Sequence, residues 1–183
     1  MRKNTVKISK NVKETAEIAK TFLNEILKGK NNQKSALVVG LSGDLGAGKT
    51  AFVQAAAKHL GIRNKINSPT FVIMKKYPVP EQARYGVGPL PRLRGSTRLA
   101  LPKPSAKRRR ARGSGFRFLF HIDAYRLKNE KELLPLGWEE IISNKEHLVF
   151  IEWPENVSKI IPADARFVYI SHTKDGHRNL KLK

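Results

Sequence analysis

The stretch GDLGAGKT, Gly43 to Thr50, follows directly on the apolar run ALVVGLS. Gly43, Gly48, Lys49 and Thr50 meet the spacing G-x-x-x-x-G-K-[ST]. An unbroken apolar run suits a strand covered on both faces. TAFVQAAAKHL, after the glycines, has helical spacing and ends at Gly61. Strand, glycine loop and helix in that order describe a cradle in which backbone N–H groups and the positive end of a helix dipole converge on phosphate oxygens. In such a cradle Lys49 neutralises the β and γ phosphates of a nucleotide and the Thr50 hydroxyl ligates Mg²⁺.

The rest of the chain supplies a frame for this loop. TVKIS (5–9) alternates like a short strand, and Val12, Ala16, Ala19, Phe22, Leu23, Ile26 and Leu27 recur at helical spacing. TFVIMKKY (70–77), FRFLFHIDAY (116–125) and HLVFIEW (147–153) read as strands, and KNEKELLPLGWEEII as a short helical stretch. RFVYISHT and NLKLK flank KDGH, a good hairpin turn. Strands alternating with helices predict an α/β fold of the P-loop NTPase kind, one domain over 1–183. Its central sheet is expected to be mostly parallel and flanked by helices, with antiparallel hairpin additions.

A phosphate loop needs an acid near the metal, and two strand ends offer one. LVFIE ends in Glu152, and FLFHID ends in Asp123. One could hold Mg²⁺ while the other orients the attacking water; spacing alone does not assign the roles. His121 lies two residues before Asp123 and projects from the same strand face. It reads as structural, as Trp153 reads as core packing. Ser68-Pro69-Thr70 is either a plain turn or a switch segment whose hydroxyls face the γ-phosphate.

Net charge is +21, from 36 basic and 15 acidic residues. A surplus of this size invites nucleic acid as a partner. Half of the excess falls in residues 78–117, which hold 11 Lys/Arg against one Glu, and six of the ten prolines. This segment includes KRRRAR and has no sustained apolar period, so it reads as a disordered insertion within the domain. Its charge is either an RNA-binding arm or incidental. The chain has no cysteine, which fits a reducing compartment. MRKNTVKISK has no apolar segment behind its charges, and no run approaches the ~20 apolar residues that cross a bilayer. A cytoplasmic protein with no membrane partner is the expectation.

Taken in order, GDLGAGKT, SPTF, HIDAYRL and IEWPE resemble the bacterial TsaE family. These are small P-loop ATPases of threonylcarbamoyladenosine biosynthesis, which modifies the adenosine beside the anticodon of tRNA. The resemblance covers nearly the whole chain outside 78–117. It implies ATP and Mg²⁺ as cofactors, with Gly46, Ala47, Gly48, Lys49 and Thr50 on the phosphates. It implies Mg²⁺ held by Thr50 and Glu152, and Asp123 essential for hydrolysis with Tyr125 and Arg126 beside it. Ser68 and Thr70 match a switch-like S-P-T, and Arg178 in DGHR resembles a C-terminal arginine that approaches the nucleotide. The implied partners are the threonylcarbamoyl transferase and its dimerisation partner, with tRNA reached indirectly or through the basic insertion. A small-molecule kinase and a basic nucleic-acid-binding protein are the competing readings.

Overall fold

The structure is a computed structural model, and it describes residues 4–28, 33–85 and 113–183. Seven strands form one sheet: β1 (Thr5–Ser9), β2 (Leu37–Ser42), β3 (Met74–Pro78), β4 (Phe118–Asp123), β5 (His147–Glu152), β6 (Arg166–His172) and β7 (Arg178–Leu182). Their spatial order is β1-β7-β6-β2-β5-β4-β3. The four central strands β6, β2, β5 and β4 run parallel. Antiparallel pairs flank them, β3 on β4 at one edge and β7 with β6 and β1 at the other. This is the mixed α/β architecture the sequence predicts. Parallel neighbours place their C-terminal ends, and the loops that follow, along one edge of the sheet, where α/β proteins build sites.

Side-chain parity divides the core. Leu37, Val39 and Leu41 on β2, Leu148 and Phe150 on β5, and Leu119 on β4 face one cluster with α1 (Val12–Lys28) and α2 (Lys49–His59). Phe22, Phe52 and Phe150 meet edge to face in sequence at 5.8 and 6.5 Å between ring centres. The opposite parity, Val38, Phe120, Ile122, Val149 and Ile151, packs with Trp138 and Ile141 of α4 (Trp138–Ser143). The start of α1 is fixed by reciprocal bonds: Glu14 N–H donates to Asn11 Oδ1 at 3.0 Å, and Lys10 N–H to Glu14 Oε2 at 2.8 Å.

Three expectations change on contact with the structure. The strand expected over 70–77 begins only at Met74; residues before it form a turn, with Val72 N–H bonded to the Pro69 carbonyl and Ile73 at φ 62°. The expected helical stretch 128–142 breaks into two short 3-10 turns and α4, because Gly137 takes a left-handed conformation behind Pro135. The flanks of the expected insertion, 78–85 and 113–117, belong to the fold. Glu81–Tyr85 form α3, and Val79 and Phe116 are buried in the core. Ser114 and Gly115 N–H donate to the Ala83 and Arg84 carbonyls, and Val79 N–H to that of Arg117. Averaged composition concealed Val79, while Phe116, placed in the expected strand 116–125, precedes β4. Residues 86–112, with the KRRRAR run, lie outside the described residues. Among the described residues no helix is long and apolar enough to cross a membrane.

The clasp between the two flanks generates a stability prediction. Phe116→Ala should lower the free energy of urea unfolding by about 3–5 kcal/mol, the cost of emptying a buried aromatic site. Exchanging residues 86–112 for a short Gly/Ser link should change it by about 1 kcal/mol or less, since the flanks already meet and loop closure depends weakly on length.

Candidate functional site

The loop between β2 and α2 turns on glycine. Gly43 stands at φ 139°, and a β-carbon there would collide with the Ile170 carbonyl oxygen of β6. Gly46, at φ 77°, has open space around it. Gly48, left-handed at φ 108°, precedes the first residue of α2, and its carbonyl accepts from Phe52 N–H at 3.0 Å. Ala47 is buried between them, its N–H on the Asp44 carbonyl at 3.1 Å. Arg178, the first residue of β7, donates from Nε to the Ala47 carbonyl at 3.0 Å. The arginine matched only by resemblance therefore braces the glycine loop from the far hairpin.

Lys49 opens α2 and is buried. Its Nζ donates to the Gly43 and Asp44 carbonyls at 2.6 and 2.9 Å and lies 3.8 Å from the centre of the Trp153 ring. Burial pushes the ammonium below the usual lysine range, against the upward pull of Glu152, Asp123, Glu155 and Asp44. Trp153, read from sequence as core packing, is half-buried at φ 59° and closes over the lysine, while Tyr125 packs on its ring at 5.0 Å. Carbonyls and a π-face hold this cation, with four carboxylates around it.

Asp123 and Glu152 end adjacent parallel strands in direct register, and both are 3% exposed. They share the parity of Leu119 and Phe150, so both point to the α2 side of the sheet. Each is surrounded by its own donors. Glu152 Oε1 accepts from Thr50 Oγ1 and from His121 Nε2, both at 2.8 Å. Asp123 Oδ2 accepts from Ser68 Oγ at 2.8 Å and from Thr70 Oγ1, and Oδ1 accepts from Tyr125 N–H at 3.0 Å. Ser68 Oγ and Thr70 Oγ1 also stand 2.6 Å apart. Thus Gly43, Gly46, Ala47, Gly48, Lys49, Thr50, Ser68, Thr70, Asp123, Glu152 and Arg178 all come to one edge of the sheet.

The donor set fits magnesium only in part from protein. Thr50 and Glu152 present hard oxygens side by side, and among the described residues no cluster of three or more His, Cys, Asp or Glu could hold a metal alone. That suits an ion which keeps waters and takes its remaining ligands from a substrate phosphate. Sequence reasoning missed two contributors. His121, read as structural, has Glu152 as its partner. Asn156 Nδ2 donates to the Ala124 carbonyl at 2.9 Å, joining the loops after β4 and β5. His121 shares its strand parity with both acids, but only the pairing of β4 with β5 makes that parity a contact.

The family model described as "Threonylcarbamoyl adenosine biosynthesis protein TsaE" matches residues 9–87 and 109–180. The chain is similar to a tRNA threonylcarbamoyladenosine biosynthesis protein TsaE of Bacillus subtilis, 29% identical over 78% of this chain and 66% of that protein. It is similar to another of that name from Rickettsia prowazekii, 30% identical over 81% of this chain and 74% of that one. The crystal structure of Bacillus subtilis YdiB shares the fold, at TM-score 0.62 and 24% identity over 100% of this chain and 86% of the other.

The two loop glycines should respond differently to the same methyl group. Gly46→Ala meets open space and should cost about 1–2 kcal/mol for its left-handed backbone. Gly43→Ala adds a collision with rigid backbone and should cost about 3 kcal/mol or more. Urea denaturation of both variants checks the order.

Proposed function

The chain belongs to the TsaE family, and from that premise we propose that it serves the threonylcarbamoyladenosine modification of tRNA as a component that binds and hydrolyses ATP. The observation that carries the reading is the meeting of Thr50 with Glu152 at 2.8 Å beside the glycine loop, with Asp123 on the next strand. Bound Mg·ATP supplies the phosphoanhydride bond whose hydrolysis does work. Everything else is the task of this chain's own side chains. Backbone N–H groups of 43–50 and the α2 N-terminus receive the phosphates. Lys49 leaves the Gly43 and Asp44 carbonyls for the β and γ phosphates, a transfer helped by its unfavourable burial, which an anion offsets. Thr50 and Glu152 hold Mg²⁺, and Arg178, already against Ala47, lies within reach of the same charge.

Asp123 orients the attacking water. Its Oδ2 is engaged by Ser68 and Thr70, so turnover requires the 68–73 segment to shift and free that oxygen. Phe71 and Val72 of this segment are exposed, as is Tyr125 after β4, with Arg126 over the Phe71 ring at 4.6 Å. A transferase partner and its dimerisation partner acting on this face would raise turnover, and the chemistry of the tRNA base would stay on the partner. The cellular setting is the cytoplasm, where tRNA is modified.

Three variants test the assignment by calorimetry and phosphate release. Lys49→Ala should abolish measurable ATP binding, because Lys49 is the cation that reaches the β and γ phosphates while Arg178 is held on the Ala47 carbonyl. Glu152→Gln should weaken nucleotide binding in magnesium and leave it unchanged in EDTA. Asp123→Asn should bind ATP within a few-fold of the native chain and lose about 10²-fold or more in turnover. Exchange of the last two phenotypes would reverse the roles of the acids. Unchanged turnover on adding the transferase and its partner would remove them as activators.

A further inference from the structure

His121 sits at the middle of β4 with no exposed surface, and its Nε2 lies 2.8 Å from Glu152 Oε1. The same Oε1 accepts the Thr50 hydroxyl. The other ring nitrogen, Nδ1, is buried and has no hydrogen-bond partner among the described residues. An ionised carboxylate only accepts, so Nε2 carries a proton. Leaving a buried ring nitrogen unsatisfied is unfavourable, and an apolar ring of similar volume would fill the space without that cost. What the apolar ring cannot do is donate to Glu152.

The need for that donation follows from the metal reading, on which this inference rests. In this structure Thr50 and Glu152 are bonded to each other. Once both oxygens turn to one Mg²⁺, the Thr50 hydroxyl no longer restrains the carboxylate. Among the described residues, the remaining side-chain bond to it is that of His121, which comes from the interior of the sheet rather than from a loop. We propose that His121 is a positioning residue that holds the Glu152 carboxylate in its metal-binding orientation through a Nε2–H donor. Groups that orient a ligand in this way commonly govern metal affinity by about 10- to 100-fold.

The test compares binding of a non-hydrolysable ATP analogue in magnesium and in EDTA, by calorimetry, for three variants. His121→Phe keeps the ring and removes the donor; it should lose about 10-fold or more of the affinity gained from magnesium while its EDTA affinity stays within about twofold. His121→Gln places an amide N–H near the Nε2 position and should retain the gain to within about threefold. Full magnesium gain in His121→Phe overturns the proposal, as does equal loss in both variants, which would show that a restored N–H donor does not restore the metal site. Glu152→Gln separates the premise: if it keeps the magnesium gain, Glu152 is not a ligand and the metal reading fails, whatever His121 does. Should the variants not fold, ¹⁵N spectra of the native chain decide. A proton on His121 Nε2 supports the assignment, and a bare Nε2 with the proton on Nδ1 overturns it.

Discussion

Two carboxylates buried side by side set the terms for the rest of this molecule. Asp123 and Glu152 end neighbouring parallel strands in register, nearly sealed from water. Buried charge is tolerated only with donors and counter-charge at hand, and like charges in adjacent positions raise the demand. The surroundings meet it. Thr50 and His121 donate to one acid, Ser68, Thr70 and the Tyr125 N–H donate to the other, and the Lys49 ammonium acts on both. The donors come from β4, the first turn of α2, the 68–73 segment and the loop after β4. The pair therefore ties together elements distant in sequence.

The sheet gives that pair its place. A parallel centre brings the ends of β2, β4 and β5 to one edge, and antiparallel strands finish the two sides. The finishing strands also contribute. β6 forces glycine at position 43 through the Ile170 carbonyl, and β7 delivers Arg178 to the glycine loop. On the opposite side, β3 follows the segment whose hydroxyls cover Asp123, so the covering group and the edge strand share one connection.

On the proposed function, this arrangement is the resting state of the site. Lys49 is engaged by its own loop and by Trp153, and Asp123 by Ser68 and Thr70. Each contact is a hydrogen bond or ring contact that an incoming anion or a moving segment can replace. Two such exchanges, with a third between Thr50 and Glu152, are small rearrangements of side chains around a rigid parallel core. A site of this kind can be complete in its residues and still wait for a further event before it turns over.

Much of this was legible in the chain. GDLGAGKT after an unbroken apolar run specified strand, loop and helix, because few other structures accommodate three glycines, a lysine and a threonine at that spacing. Glu152 and Asp123 could be named from strand ends, since the last residue of a parallel strand faces the site edge. Local signals go no further. Thr70 to Ile73 carry strand-forming side chains yet turn, because the Asp123 carboxylate captures Thr70 from a strand 53 positions away. Val79 looked like part of a disordered insertion until the flanks met and closed over the core. His121 read as structural, and its bond to Glu152 emerged only when β4 lay beside β5. The sequence by itself determined which residues carry charge, hydroxyl and glycine, and in which element. Only the tertiary structure decided which of them share a proton, because a hydrogen bond is set by distance in space, and strand order is a property of the whole sheet.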